Sequence, residues 1–558
     1  SLIPEEAGLD QIIFDQQRSR VIIEVEKPGL AIGKEGSILR DIRKKTLWVP
    51  LIRRKPALKS KLIENIRGVL YQNSDFRRKF LHKTGQRIYD GWIRGKKSEW
   101  VRITFLGGAR QVGRSCLFLQ TPESRIILDC GIDVTAIDKK AYPKLDVPEF
   151  NIQDLDAVIL SHSHLDHSGF IPYLFKYGYR GPVYCTAPTR DVASLLLLDY
   201  VKIMSNERQD PLFTSEEIKE MVKHTICLDY EEVTDITPDV RLTFHNAGHI
   251  LGSALVHLHI GNGLHNLLYT GDLKFGKTEL LEPAETRFPR CETLIIEATY
   301  GGKENVLPPK EESDLELGAT ITKTLSRGGK ILIPVLGSGR AQEIMMIIDK
   351  LVRNGQMEKI PVYIDGMVWD VTAIHTAYPE YLNSRVRKLI FHKDQNPFLS
   401  DVFKQVGSQK ERMQVVEEAG PCVILATSGM LVGGPSVEYL RHLCDNEKNT
   451  LLFVSYQGEN SLGRRIQRGE REFVFPNVNG FNKEMAQIKM EVVTIEGFSG
   501  HSGRHQLMRF VKRCTPRPRK VIIVHGENSR ELDLASSIHK TFRIETIAPR
   551  NLETIRLR

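Results

Sequence analysis

Ser161-His162-Ser163-His164-Leu165-Asp166-His167 follows directly on the apolar run Ala157-Val158-Ile159-Leu160. Three imidazoles and a carboxylate so close together, in a loop leaving a buried strand, are not a packing motif. Donors this crowded desolvate one another at a cost that a cation offsets. His and Asp suit Zn²⁺, at about 2.0–2.2 Å, and leave positions open for water. Alternate residues of an extended loop point to opposite sides. His162 and His164 can therefore share one metal, while Asp166 and His167 turn toward a second.

Each metal needs further ligands from elsewhere in the chain. His249 in NAGHILGSA, Asp272 in YTGDLKFG and His525 in VIIVHGE each follow an apolar strand and are flanked by glycine. Small neighbours leave room for metal and substrate. The same style recurs in VRITFLGG, RIILDCG, LLYTGDL and TLIIEATY, all between residues 101 and 300. Loops at the ends of buried strands are where a rigid scaffold carries chemistry.

Between residues 304 and 483 the pattern changes to helices alternating with strands: a helix around 311–327, KILIPVL, a helix after Gly339, PVYIDG, PCVILAT and TLLFVSY. That alternation predicts a parallel sheet flanked by helices. VVTIEGFSGHSG and RKVIIVHGE then return to the earlier style, so the α/β region reads as an insertion. The expected divisions are 1–68, a small α/β module; 69–95, a basic connector; 96–303 and 484–558, two parts of the strand-rich domain; and 304–483, the insertion.

A chain of 558 residues exceeds one core. No apolar run approaches the ~20 residues of a membrane span, and no signal-peptide pattern lies near Ser1. A cytoplasmic protein with no membrane partner is expected. Because the chain opens on Ser rather than Met, the native N-terminus is expected to lie further upstream. The eight cysteines are scattered singly, which argues against both a thiolate zinc site and a disulfide framework. Residues 1–100 hold 22 Lys and Arg against 12 Asp and Glu, while the rest hold 56 against 57. All the excess positive charge is thus N-terminal, an electrostatic footprint for a polyanion or a solvated basic face.

The ordered set Asp129, His162-x-His164-x-Asp166-His167, His249 and Asp272 resembles the metallo-β-lactamase fold. Glu297, His501 in GFSGHSG and His525 resemble the three further motifs of the β-CASP nucleic-acid processing subgroup. The resemblance runs from about residue 96 to 548. It implies an α/β fold with a metallo-β-lactamase αββα core interrupted by an inserted β-CASP domain. It also implies two Zn²⁺ per chain: His162, His164 and His249 on one, Asp166, His167 and His525 on the other, and Asp272 bridging. Asp129 would orient the His loop from behind. Asp166, Glu297 and His501 are the expected catalytic side chains, the last two as a pair near the leaving group.

Two zinc ions about 3.5–4 Å apart lower the pKa of a shared water toward ~7. Attack on a phosphodiester, with cationic His501 protonating the departing sugar oxygen, leaves a 5′-phosphate and a 3′-hydroxyl. Gly337-Ser338-Gly339-Arg340 and Gly433-Gly434-Pro435-Ser436 precede helical segments and are candidate phosphate contacts, through Ser338, Gly339, Arg340, Gly434 and Ser436.

In the basic leader, RVIIEVEKPGLAIGKEGSILRDIRKKT reads as strand, loop and helix, with Gly33-Lys34-Glu35-Gly36 at the junction. This is similar to a KH domain, whose G-x-x-G loop clamps backbone nucleotides. Gly33, Lys34 and Gly36 are the candidate contacts. Arg40, Arg43, Lys44 and Lys45 and the run Arg53-Arg54-Lys55 add charge, whereas Glu35 departs from what a phosphate clamp wants. KH plus β-CASP resembles the archaeal relatives of the cleavage and polyadenylation specificity factor nuclease. That resemblance implies an RNA endonuclease, with a possible 5′–3′ exonuclease activity, acting in 3′-end formation and transcription termination. It further implies a homodimer, partners in the transcription or RNA-processing machinery, and a second KH module upstream. A small-molecule hydrolase would not need the insertion or the basic leader. A DNA-processing β-CASP nuclease generally lacks the histidine found here at 525. A non-catalytic RNA-binding scaffold would have lost ligands that this chain keeps.

Overall fold

The computed structural model describes residues 2–91, 99–136, 138–206, 210–393, 395–455, 457–458, 461–475 and 484–558. Two seven-stranded sheets form the centre. One runs Thr554–Arg556, Arg102–Gly107, Cys116–Gln120, Arg125–Leu128, Ala157–Ile159, Val183–Cys185, Thr225–Cys227. The other runs Thr234–Thr237, Val240–Asn246, Ala254–Ile260, His265–Tyr269, Thr293–Glu297, Lys520–Val524, Glu545–Ile547. Phe105, Leu117 and Leu128 of the first sheet meet Phe244, Val256 and Tyr269 of the second in one apolar layer. On the outer face of the first, Phe118 and Val158 pack on Leu174, Leu197 and Met221, which lie on helices. On the outer face of the second, Leu268 and Val521 pack on Leu507, Phe510 and Leu534 of the helices Arg504–Arg513 and Asn528–Phe542. This is the αββα sandwich expected from the sequence.

The strands that end in candidate ligands are parallel neighbours. His265–Tyr269, Thr293–Glu297 and Lys520–Val524 run side by side, with Tyr269 opposite Ile295 and Glu297 opposite Val524. Their C-terminal ends therefore deliver Asp272, Glu297 and His525 to one edge. Arg125–Leu128 and Ala157–Ile159 are also parallel and deliver Asp129 and the His loop from the opposing sheet. Open α/β sheets place ligands outside such strand ends.

The insertion is a six-stranded sheet in the order Phe403–Val406, Val362–Asp365, Val423–Ala426, Ile331–Pro334, Thr450–Phe453, Glu491–Thr494, and every pair is parallel. The helices Lys310–Ser326 and Arg340–Arg353 fall where the sequence predicts them. One strand does not. Glu491–Thr494, read as the return to the strand-rich domain, extends the inserted sheet instead. Of the boundary expected at 483/484, residues 476–483 lie outside the described residues, while Glu484 opens the strand Glu484–Gln487, which pairs with Glu472–Phe475.

The N-terminal module is a three-stranded sheet of Leu9–Asp15, Arg20–Val25 and Val49–Arg54, antiparallel and then parallel. Its small core is built from Val21, Ile23, Val25, Ala31 and Ile42. Two details differ from the sequence reading. A short helix, Pro28–Ile32, fills the loop before Gly33, so GKEG separates two helices rather than a strand and a helix. The connector is largely helical, as the end of Lys61–Gln72 and Ser74–Gly91; residues 92–95 lie outside the described residues. Its Phe80 is buried against His224, and Arg77 donates to the carbonyls of Lys223 and Thr225.

All eight cysteines are buried, and none forms a disulfide. Among the described residues, no helix is long and apolar enough to cross a membrane.

Candidate metal centre

The His loop is held from three sides. Ser115 N donates to Asp166 O, Cys130 N to His167 O and Ile132 N to Leu165 O, at 2.8–2.9 Å. This seating brings Gly131 against the loop: a Cβ there would lie 1.8 Å from Asp166 O, so only glycine fits. Asp129 and His525 both adopt left-handed backbone, with φ of 56° and 52°. Non-glycine residues pay for that conformation, and such strain collects at functional sites.

The expected ligands converge as two groups that share one carboxylate. The nitrogens of His162, His164 and His249 and an oxygen of Asp272 lie within 4.8 Å of one another. The same holds for Asp166, His167, Asp272 and His525. Asp272 Oδ2 faces His162 Nε2 at 3.4 Å and His249 Nε2 at 3.7 Å. Its Oδ1 faces His167 Nε2 at 3.4 Å and His525 Nε2 at 3.6 Å. His162 Nε2, His525 Nε2 and Asp272 Oδ1 are buried without a hydrogen-bond partner among the described residues. Buried polar atoms are otherwise paired, so these orphans and the N/O donor set fit a pair of metal ions.

The atoms behind the ligands aim them. His249 Nδ1 donates to Gly500 O at 2.8 Å, and His525 Nδ1 lies 2.7 Å from Ser115 Oγ. His167 Nδ1 lies 2.7 Å from Asp129 Oδ2, which also accepts from the hydroxyl of Tyr269. Each contact occupies Nδ1 and turns Nε2 toward the ligand group. Burial drives His249 well down and His164 down to about 3, so both rings are neutral and ready to ligate. His167 differs: against its burial, Asp272, Asp166 and Asp129 hold it well up, marking the spot where positive charge is wanted.

Glu297 and His501 form a third group with Asp272. His501 Nδ1 lies 3.0 Å from both carboxylate oxygens of Glu297, one of which also accepts Leu273 N–H. Burial disfavours the imidazolium, but Glu297 and Asp272 outweigh it and bring His501 up to about 9. Its side chain is 18% exposed, whereas that of Glu297 is fully covered.

The expected phosphate-binding side chains fare unevenly. Arg340 is turned inward: its guanidinium is buried and donates to the carbonyls of Phe498 and His249. It braces the His501 loop and the His249 loop, and an outward phosphate contact is not its role in this structure. Ser436 is buried as well, with Oγ donating to Ser428 O at 2.8 Å. Gly339 and Gly434 precede the helices Arg340–Arg353 and Pro435–Leu443 with positive φ. Ser338 Oγ is buried with no partner among the described residues. Gly33, Lys34 and Gly36 sit at a partly exposed turn of the N-terminal module. In that module Arg53 is engaged by Glu380 at 3.4 Å and Arg54 by Ile390 O at 2.8 Å, so these two dock the module, while Lys55 pairs within it with Asp10 at 3.1 Å.

Tyr269, Ser115 and Lys274 escaped the sequence reading. Lys274 Nζ donates to the carbonyls of Ser499 and His501, at 2.8 and 2.9 Å, and so clamps the His501 loop. Burial, helped by Arg340, lowers it to about 7. Its place two residues after Asp272 was the available signal.

Three family models match the chain: a metallo-beta-lactamase superfamily domain over residues 118–293, a Beta-Casp domain over 341–466, and a Zn-dependent metallo-hydrolase RNA specificity domain over 485–549. Transcription termination factor FttA of Methanothermobacter thermautotrophicus is 54% identical over all of this chain and 87% of its own length. The FttA of Methanocaldococcus jannaschii is 53% identical and that of a Lokiarchaeum 48%, each likewise over all of this chain and 87% of the relative. The chain belongs to the FttA family, in which a metallo-β-lactamase fold carries an inserted β-CASP domain.

Proposed function

We propose that the chain is a zinc-dependent ribonuclease that hydrolyses RNA phosphodiesters and acts in transcription termination. The observation that carries this reading is a single carboxylate, Asp272, shared between two complete ligand groups with the Glu297–His501 pair beside it. The matched RNA specificity domain and the name of the relatives support RNA as substrate and termination as the setting.

His162, His164 and His249 would hold one zinc ion, and Asp166, His167 and His525 the other, with Asp272 between them. Bound there, the ions acidify water near neutral pH and screen charge on the phosphate. Asp166, with a side chain 25% exposed, is the carboxylate open to the attacking water's proton. Glu297 engages Nδ1 of His501 and favours its charged form. The proton on Nε2 then goes to the departing 3′ oxygen, leaving a 5′-phosphate on the downstream product. Lys274 and Arg340 keep the His501 loop in register.

Zinc analysis and a cleavage assay on matched, labelled RNA and DNA test the reading. The expected result is two zinc ions per chain and RNA products bearing 5′-phosphates. A fully zinc-loaded protein that cuts only DNA, or nothing, overturns it.

A further inference from the structure

Away from the metal centre, five cationic side chains converge on one concavity. Lys350, Arg353, Arg385, Lys388 and Lys393 line a cavity of about 450 Å³, and among the described residues no carboxylate lines it. They come from the last turn of Arg340–Arg353 and from Ser384–His392 and the residue after it. Cations in a helix's last turn complement its dipole, which accounts for Lys350 and Arg353 alone. From behind the cavity, Glu279 takes Lys350 at 2.8 Å and Arg385 at 2.7 Å, while Asp349 takes Arg353. Lys388 and Lys393 are exposed and have no ion-pair partner among the described residues. The wall therefore keeps a positive surplus, and a concave surface of one sign concentrates counter-ions.

A second cavity, of about 330 Å³, shares Ser384 and Lys388 with the first and adds Arg387 and Phe391. Phe391 is 44% exposed. Among the described residues one carboxylate, Glu380, lines this second cavity, and it is engaged by Arg53.

The position of these cavities ties them to the rest of the molecule. At the start of Arg340–Arg353, a Cβ on Gly339 would meet Ile250 Cγ2 at 2.6 Å, next to the ligand His249. The helix has 14 residues, so its basic end lies roughly 20 Å from that point. On the other side, Arg54 of the N-terminal module donates to Ile390 O of Ser384–His392. The cavities thus lie where the N-terminal module meets the inserted domain, one helix length from the metal centre.

We infer that the two cavities form a binding site for the backbone of single-stranded RNA, with consecutive phosphates on the cations and a base stacked on Phe391. Cations beside an exposed aromatic ring are the recurring chemistry of single-strand binding. A small polyanion would use the cations alone and leave the ring idle. This inference rests on the ribonuclease reading.

The test uses the full zinc-loaded chain and nuclease-resistant phosphorothioate RNA of about 20 and about 4 nucleotides, titrated against salt. For the long RNA, Lys388→Gln with Lys393→Gln should reduce the slope of log affinity against log salt by about 1.4, a loss of about 25-fold at 0.1 M. Phe391→Ala should lower affinity by about 5-fold or more with the slope kept. The short RNA, bound at the metal centre, at most touches the edge of the site, and its affinity should change several-fold less than that of the long RNA. Lys512→Gln with Lys540→Gln removes the same charge from other helices and should leave both affinities alone. The inference is overturned if the first pair leaves long-RNA binding unaltered, or if the control pair weakens it equally. It is also overturned if inorganic tripolyphosphate shields Lys388 and Lys393 from acetylation and RNA does not. A wild-type chain that binds no RNA of either length fails the ribonuclease reading instead.

Discussion

Asp129 and His167 share a 2.7 Å hydrogen bond in which the imidazole Nδ1–H donates to Oδ2. The same carboxylate accepts Ser161 N–H, Ser161 Oγ–H and the Tyr269 hydroxyl, each at 2.7 Å. An ionised carboxylate has room for all four, and an amide does not. Asp129→Asn can point an N–H at His167, which must then carry its proton on Nε2, the atom needed by the metal. Affinity for the ion proposed at Asp166, His167 and His525 should fall by about 10–100-fold. Competition against a chromophoric chelator measures this, and unchanged affinity for both ions refutes the role given to Asp129.

Removing the metals should cost stability as well as activity. Buried ligands with no other partner, among them His162 Nε2 and His525 Nε2, are then left facing one another. A ligand that binds only the folded state at 1,000 times its Kd stabilises by about 4 kcal/mol. Chelation should therefore lower Tm and abolish cleavage, and zinc should restore both. Full activity in a metal-free protein defeats the assignment.

His501→Ala should lower the cleavage step by about 10²–10⁴-fold, the usual contribution of a positioned acid. Zinc content should stay close to two per chain, since His501 backs Asp272 without completing either ligand group. Loss of one zinc in the variant makes His501 a ligand. Glu297→Gln keeps the hydrogen bond but removes the charge that favours imidazolium. The alkaline limb of the rate profile should then shift to lower pH.

Glu531 gives the fold a pH dependence of its own. Burial raises its carboxyl from 4.5 to about 9, although Arg110 N and Gly526 N, both donating to Oε1, pull the other way. Between those values the unfolded chain is ionised and the folded chain is not. The stability is therefore fully present below pH 4.5 and is lost as pH rises toward 9. Glu531→Gln keeps the acceptor and cannot ionise. It should gain ~1–3 kcal/mol over wild type at pH 8 and almost nothing at pH 4.5. Denaturant melts at the two pH values decide it; an equal effect at both shows that Glu531 is ionised in the folded chain.

The convergence of the candidate ligands was legible because each follows a strand and because four of them are neighbours in one loop. Their supports were not. Ser115 reaches His525 across 410 residues, and the partner of His249 is a backbone carbonyl, which no side-chain pattern records. The glycines before Arg340 signalled a helix start, but the direction of its guanidinium depends on the carbonyl of Phe498, set by a loop 158 residues away. Charge read the connector as a linker, whereas Phe76 and Phe80, one helical turn apart, pack against His224. The strand Glu491–Thr494 could have joined either sheet, since an apolar run does not name its neighbour.

The GKEG turn offers the sharpest test of the N-terminal module as an RNA clamp. Gly33 and Gly36 both take positive φ, and a Cβ on Gly33 would lie 2.8 Å from Ser37 Oγ. Lys34 and Glu35 between them are exposed, and Gly36 caps the helix Ser37–Thr46, whose first N–H groups favour an anion. Glu35 itself adopts φ of 50°, a conformation that suits asparagine better than glutamate. Glu35→Asn should therefore hold or raise stability while removing a negative charge from the clamp, and RNA affinity should rise. Lys34→Asp should lower affinity and flatten its salt dependence, because one counterion-releasing contact is gone. Deleting residues 1–68 is a poorer experiment, because Arg18 and Arg53 pair with Glu232 of the metallo-β-lactamase domain and Glu380 of the inserted domain. If both single variants bind RNA as the wild type does, the turn is solvated surface and the module serves only to cover the core. Opposite shifts in affinity, with zinc content unchanged, establish the clamp.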